Sequence, residues 1–329
     1  MSRTTIEWTE YSWNPMRGCS PTMRCARTCW AVRMANRQRG NPKYVGFTRI
    51  GEHGPEWTGK VALIEEELHR PLHWKTPRIV AVGLMGDWMR LLDEEIDKIL
   101  AVEALCPQHL FMHLTKLPRK MAGYCASVNS AERFHDINVA AQAVMGSPGY
   151  GAVLPTQRDG MVPGGWPLPN LMPGVSILDQ ADADAAREPM RELAATGWNT
   201  WVSHEPAWGG IDWKGWEFLQ YMVSGGQTGP GARPSHPEWF RADRDFCAEH
   251  EIPWMFKAWG SWRERKPGDP NDGRMIRLTR VGRNGQDLAN ATDGGDVWMQ
   301  RFEKRAAGRL LDGREHLAMP EKSSVPREN

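Results

Sequence analysis

The chain has 329 residues with 41 Lys+Arg against 40 Asp+Glu, 25% charged and 40% hydrophobic. That balance excludes a disordered chain and a polybasic nucleic-acid coat, and leaves room for a local basic groove. No run approaches the roughly 18–20 apolar residues of a membrane span, and the opening residues hold no apolar core for a signal peptide.

Taken in chain order, the first feature is Gly18-Cys19-Ser-Pro-Thr-Met-Arg-Cys25-Ala-Arg-Thr-Cys29-Trp30. It places three of the chain's six cysteines within eleven residues. If Cys25 begins the helix expected to run towards Arg37, Cys25 and Cys29 lie one turn apart on one face. Short apolar runs then recur at Val61–Ile64, Ile79–Leu84, Leu110–Leu114, Gly174–Ile177, Thr200–Ser203, Tyr221–Ser224 and Trp254–Phe256. Continuous apolar runs suit parallel strands buried on both faces. Helical stretches intervene at Asp93–Leu105, Asp179–Ala195 and His236–His250, with Pro189 expected to kink or break the second. Repeated strand–helix alternation predicts an α/β fold, a full or partial β/α barrel. Gly146–Pro173 is rich in Gly and Pro and reads as an inserted loop or lid. A hairpin around Asn284–Gly285 and a last helix over Asp296–Leu311, ended by Gly313, form a C-terminal extension. The expected division is a barrel domain over residues 1–265 and an extension over 266–329, frayed from about 321.

The default compartment is a cytoplasm, where thiols stay reduced, so clustered cysteines point to metal or redox chemistry rather than to disulfides. Three thiolates on a loop can hold three corners of a four-iron cluster and leave one iron open. Zinc with an added His, or three packed thiols, satisfies the same spacing. Cys106, Cys125 and Cys247 stand alone and read as packed thiols. Arg17, Arg24, Arg27, Arg33, Arg37 and Arg39 crowd the cysteines. With Trp8, Trp13 and Trp30 they could form a groove that pairs with phosphates and stacks a base; a solvated helix face is the plain alternative. Asp87, Lys116, His204, Glu205, Gln227 and Lys257 each follow a candidate strand, where barrels gather their chemistry. Gly225-Gly226-Gln227-Thr-Gly could let a backbone approach a ligand, or serve as a tight turn.

Ile6-Glu-Trp-Thr-Glu-Tyr-Ser-Trp-Asn-Pro15, Gly18-Cys19 and Cys29-Trp30-Ala resemble the opening of the phage-encoded three-cysteine-motif proteins, a family regarded as radical-S-adenosylmethionine-like. The resemblance continues through Leu84-Met-Gly-Asp87, Leu114-Thr-Lys-Leu-Pro118, Gly174-Val-Ser, Ser203-His-Glu-Pro206, Gly225–Pro234, Phe256-Lys-Ala-Trp-Gly260 and Ala307–Gly313. The cysteine gaps of five and three, and Trp30 in place of a tyrosine, depart from the family's usual pattern. The resemblance implies a barrel of the TIM or radical-enzyme type with a [4Fe-4S] cluster on Cys19, Cys25 and Cys29, and S-adenosylmethionine. Trp30, Asp87, Gly225, Gly226, Gln227 and Arg233 would contact that cofactor. His204, Glu205, Lys116 and Lys257 would act as acid, base or anion-binding groups. The expected partners are a nucleic acid or nucleotide substrate, a reductant protein and a separate partner protein, with no membrane. Two other readings stand beside this one: a nucleic-acid-binding barrel without radical chemistry, and a zinc-containing transferase acting on a nucleobase.

Overall fold

A computed structural model describes residues 4, 6–128, 130–146, 166–271, 273–278 and 296–320. The chain divides into two units. The first takes Met1–Gly174 and Ala195–Asn199; the second takes Val175–Ala194 and Thr200–Glu321. Residue 265, the expected boundary, lies within the second.

Seven strands form one sheet: β1 (Tyr11–Trp13), β2 (Ile79–Val82), β3 (Leu110–Thr115), β4 (Leu171–Ile177), β5 (Trp201–His204), β6 (Tyr221–Gly225) and β7 (Trp254–Ala258). Their order in the sheet is their order in the chain. The pairs β1–β2, β2–β3, β5–β6 and β6–β7 are parallel, with Ile79 opposite Leu110 and Tyr221 opposite Trp201. When each parallel strand follows its predecessor and crossovers keep one hand, the helices collect on one face. The sheet is therefore a seven-strand parallel half-barrel, as the strand–helix alternation predicts. All residues of β2, β5 and β6 are buried, which explains why these strands read as unbroken apolar runs.

In the first unit, β1 is held by side chains as well as by its ladder. Thr9 Oγ1 donates to Ile79 O at 2.9 Å and accepts from Ala81 N at 3.0 Å. Helix α1 (Trp30–Arg37) buries Ala31, Val32 and Ala35. α2 (Asp93–Ala104) opens with three acids, which favour a helix N-terminus. α3 (Pro118–Ser127) and α4 (Ala131–Met145) fill the long crossover after β3. Asp97 of α2 accepts from Tyr124 Oη at 2.6 Å and Arg133 Nη1 at 2.8 Å, joining the three helices.

In the second unit, α5 (Gln180–Ala195) and α6 (Pro237–Glu249) are the long helices. β8 (Trp262–Glu264), β9 (Met275–Leu278) and β10 (Val297–Arg301) make an antiparallel sheet in the order β8-β10-β9.

Four expectations are corrected. The helix expected from Cys25 starts at Trp30; a 3-10 turn over Ala26–Thr28 intervenes, and Cys29 is extended at φ −61, ψ 120. Cys25 and Cys29 therefore do not share a helical face. Val61–Ile64 contributes only Ala62–Leu63, which pairs antiparallel with Met16–Arg17 outside the main sheet. α5 runs on through Pro189, a buried helix residue. The last helix is replaced by β10 and a short helix, Lys304–Ala307. Val297 and Met299 are buried while Trp298 is exposed, the two-residue period of a strand. The antiparallel β9–β10 pair suits a hairpin; Asn284–Gly285, most of the Gly/Pro-rich insertion and the tail lie outside the described residues.

Candidate functional site

In the first unit, chain geometry holds Cys19 against the end of β2. Gly18 N donates to Met85 O at 3.0 Å, and Asp87 N donates to Gly18 O at 3.3 Å. Gly18 has φ +97, and a Cβ there would stand 2.0 Å from the Lys60 carbonyl oxygen. Only glycine accepts both conditions. A Cβ on Gly86 would meet the Gly18 oxygen at 2.3 Å, so the crossing needs a glycine on each side.

Cys19, Cys25 and Cys29 are free and half-buried. Cys19 and Cys29 pack against an apolar cluster that includes Val32, Phe47, Trp57 and Met85. Burial pushes the Cys19 thiol up to about 12; Asp87 adds to the rise and Arg90 opposes it. Burial also raises the Cys25 thiol, against the nearby Lys116 ammonium and with the help of Cys29. The thiols thus feel one another and the charged ends of β2 and β3. Among the described residues, no three His, Cys, Asp or Glu side chains gather as ligands of a single ion.

Asp87 and Lys116 are brought together. Asp87 Oδ1 accepts from Thr115 Oγ1 at 2.6 Å and Met89 N at 3.2 Å, and Oδ2 accepts from Lys116 N at 2.9 Å. The carboxylate ties the end of β3 to the segment after β2. Trp30, expected to cover a cluster or an adenine ring, begins α1 and is 49% exposed. Trp8 and Trp13, expected in the basic groove, are buried. Arg17 is also buried, its guanidinium 4.6 Å from the Tyr44 ring centroid. Its Nε and Nη1 have no hydrogen-bond partner among the described residues.

In the second unit, Glu205 follows β5 and forms an ion pair with Lys257 of β7. The pair crosses Gly225 of β6, whose Cβ would lie 3.5 Å from both Glu205 Cγ and Lys257 Cβ. Gln227 Oε1 accepts from Trp208 Nε1 at 3.2 Å and Arg233 N at 3.1 Å, while the Arg233 guanidinium sits 4.7 Å from the Trp208 ring centroid. Gly226 has a packing reason: a Cβ there would meet the Trp259 carbonyl oxygen at 2.0 Å.

His204 is shut from solvent. Its Nδ1 lies 2.8 Å from Asp243 Oδ2 and its Nε2 lies 3.1 Å from Gly209 O. Asp243 accepts further from Ser224 Oγ at 2.6 Å and Trp213 Nε1 at 2.7 Å. This is a closed network with no free edge on the ring. Sequence reasoning missed Arg90, Thr115, Trp208 and Asp243. Thr115 was within reach, since it precedes Lys116 in a motif already singled out; the others act through long-range contacts that leave no local pattern.

No curated protein matches the chain. A solved structure similar to it is a mutant of spore photoproduct lyase, with TM-score 0.36 and 11% identity over 91% of this chain and 70% of that one. Among the described residues, no helix is long and apolar enough to cross a membrane. A family model described as "Protein of unknown function (DUF5131)" matches residues 3–320, and the chain belongs to that family.

Proposed function

We propose that the protein is a radical-S-adenosylmethionine-like iron–sulfur enzyme acting on a nucleic acid or nucleotide. Three free, half-buried cysteines within one short segment, two of them packed against the same apolar cluster, carry this reading. A single zinc ion would draw its thiolates to a common point at about 2.3 Å. A four-iron cluster takes one thiolate per iron and needs no such convergence. Three thiolates on one short segment suit such a cluster, with its fourth iron left open.

Cys19, Cys25 and Cys29 would hold the cluster, which with S-adenosylmethionine supplies one-electron chemistry for hydrogen abstraction. Asp87 fixes the backbone of Lys116 and leaves that ammonium near Cys25, where it favours negative charge. In the second unit Glu205 and Lys257 form the pair suited to hold or move a proton, and opening the pair would free either group for an anionic substrate. Gln227 and Arg233, joined through Trp208, would orient a polar ligand. His204 braces β5 through Asp243.

Iron and acid-labile sulfide in anaerobically purified protein test the reading. One brown, oxygen-sensitive cluster per chain is expected, lost when any of Cys19, Cys25 or Cys29 is replaced by Ala. A colourless preparation containing stoichiometric zinc would sink it. The basic segment around the cysteines favours a second reading, a nucleic-acid-binding protein without radical chemistry. Binding without S-adenosylmethionine cleavage in loaded protein would establish that one.

A further inference from the structure

Charge is distributed unevenly along the chain. Residues 11–51 hold eight Lys and Arg and no Asp or Glu, so the remainder carries a net −7 within a total of +1. Some of these cations are neutralised or sequestered: Lys43 pairs with Glu67, Arg49 with Glu56, and Arg17 is buried. Arg27, Arg33, Arg37 and Arg39 have no acidic partner among the described residues, and all but the half-buried Arg33 are exposed.

Their placement is ordered by α1. Ala31, Val32 and Ala35 take the buried side. Trp30, Arg33, Met34 and Arg37 fall at i, i+3, i+4 and i+7, one outward face. Trp30 is 49% and Met34 39% exposed, and exposed Arg27 lies in the turn just before the helix. Like charges one turn apart repel, and a solvated helix face ordinarily intersperses acids with bases. An exposed indole among unpaired guanidinium groups is the pairing that grips a polyanion bearing flat rings.

We propose that this face of α1, with Arg27, is a docking surface for single-stranded nucleic acid: phosphates pair with Arg27, Arg33 and Arg37, and an unstacked base lies on Trp30. A duplex offers Trp30 no open base face. An acidic protein is the poorer occupant, because an eight-residue helix face falls far short of the roughly 800 Å² per partner of a stable protein interface. The surface rests on the reading that the protein acts on nucleic acid, but not on the cluster.

Fluorescence anisotropy with the full chain and a labelled, mixed-sequence single strand of about 12 nucleotides tests it. Binding at about 50 mM salt should weaken steeply towards 200 mM. Arg33→Gln with Arg37→Gln should weaken it at least about tenfold and make the log–log salt slope shallower by about 1.4, two phosphates at 0.7 each. Trp30→Ala should weaken it about fivefold or more without changing the slope, and Trp30→Phe should restore most of it. Exchanging Arg187 and Arg191 for Gln on α5 should change nothing. The proposal is overturned by no binding at low salt, by indifference to the α1 variants, or by a polyglutamate peptide that binds as tightly and ignores Trp30→Ala. The variant with Ala at Cys19, Cys25 and Cys29 separates the two readings. Lost colour with retained binding leaves this surface standing, while lost binding at unchanged circular dichroism makes binding depend on the cluster and overturns it.

Discussion

His204 shows how a residue's chemistry depends on what surrounds it. At the end of a strand in a barrel-like sheet it reads as an acid or base. In the fold its two ring nitrogens face a carboxylate and a backbone carbonyl, which between them occupy both edges of the ring. Asp243 in turn takes three partners. Removing one partner leaves the other as a buried polar group without its hydrogen bond, a cost of about 1–3 kcal/mol and more where charge is involved. His204→Ala and Asp243→Ala should each lower the urea midpoint by the equivalent of about 3 kcal/mol. The double variant should fall short of their sum, because both changes remove one interaction. A His204 that served only as a proton donor would leave the midpoint unmoved when replaced. Asp243 stood outside sequence reasoning because it faces His204 across 39 residues and lies on a different element. Glu205, next in the chain, keeps a half-open side chain and an ion pair, which makes it the better acid–base candidate.

At the scale of elements, legibility followed burial. β2, β3, β5, β6 and β7 are buried runs and were read to within two residues; β4 was read only over its second half. β1 was missed because three residues, two half-buried and one buried, held by Thr9 and Glu10, leave no periodic signal. The C-terminal extension misled because a short apolar stretch fits a helix or a strand until its partner is known. That extension is anchored by Asp312 in the Leu311–Arg314 turn. Its carboxylate accepts from Arg241 Nε at 3.0 Å and Arg244 Nη1 at 2.6 Å, both on α6. These arginines, Arg241 foremost, hold its carboxyl below the usual carboxylate range. A depressed carboxylate contributes stability above its unfolded value and loses it as pH falls through the folded one. Asp312 also has φ 51, which Asn tolerates as Asp does. Asp312→Asn therefore isolates the charge. With Asp312 about one-third exposed and screened by solvent, the loss near neutral pH should be about 1 kcal/mol. In urea titrations the gap to the native protein should close as pH falls below about 3.9.

Over the whole molecule, the buried titratable groups set a window of stability. His109 and His316 are both pushed down, chiefly by burial. Unfolding lets them take up protons, so stability falls as pH drops through about 6.5. Burial pushes the thiols of Cys106, Cys125 and Cys247 and the phenols of Tyr124 and Tyr221 up. Above their ordinary values the unfolded chain releases protons that the folded one retains, so here stability falls as pH rises. The three thiols begin this limb near pH 8.5 and the phenols join near 10. Each proton retained contributes a slope of about 1.4 kcal/mol per pH unit. The alkaline limb should therefore be steep above about pH 8.5. These three cysteines belong to the core and lie outside the Cys19–Cys29 segment, so their contribution can be removed without touching Cys19, Cys25 or Cys29. Replacing all three with Ala will lower stability at every pH by opening cavities. The slope is the informative quantity. Between about pH 9 and 10 it should flatten by up to three protons' worth, measured as the change in urea midpoint with pH. An unchanged slope would mean that these thiols titrate alike in the folded and unfolded chains.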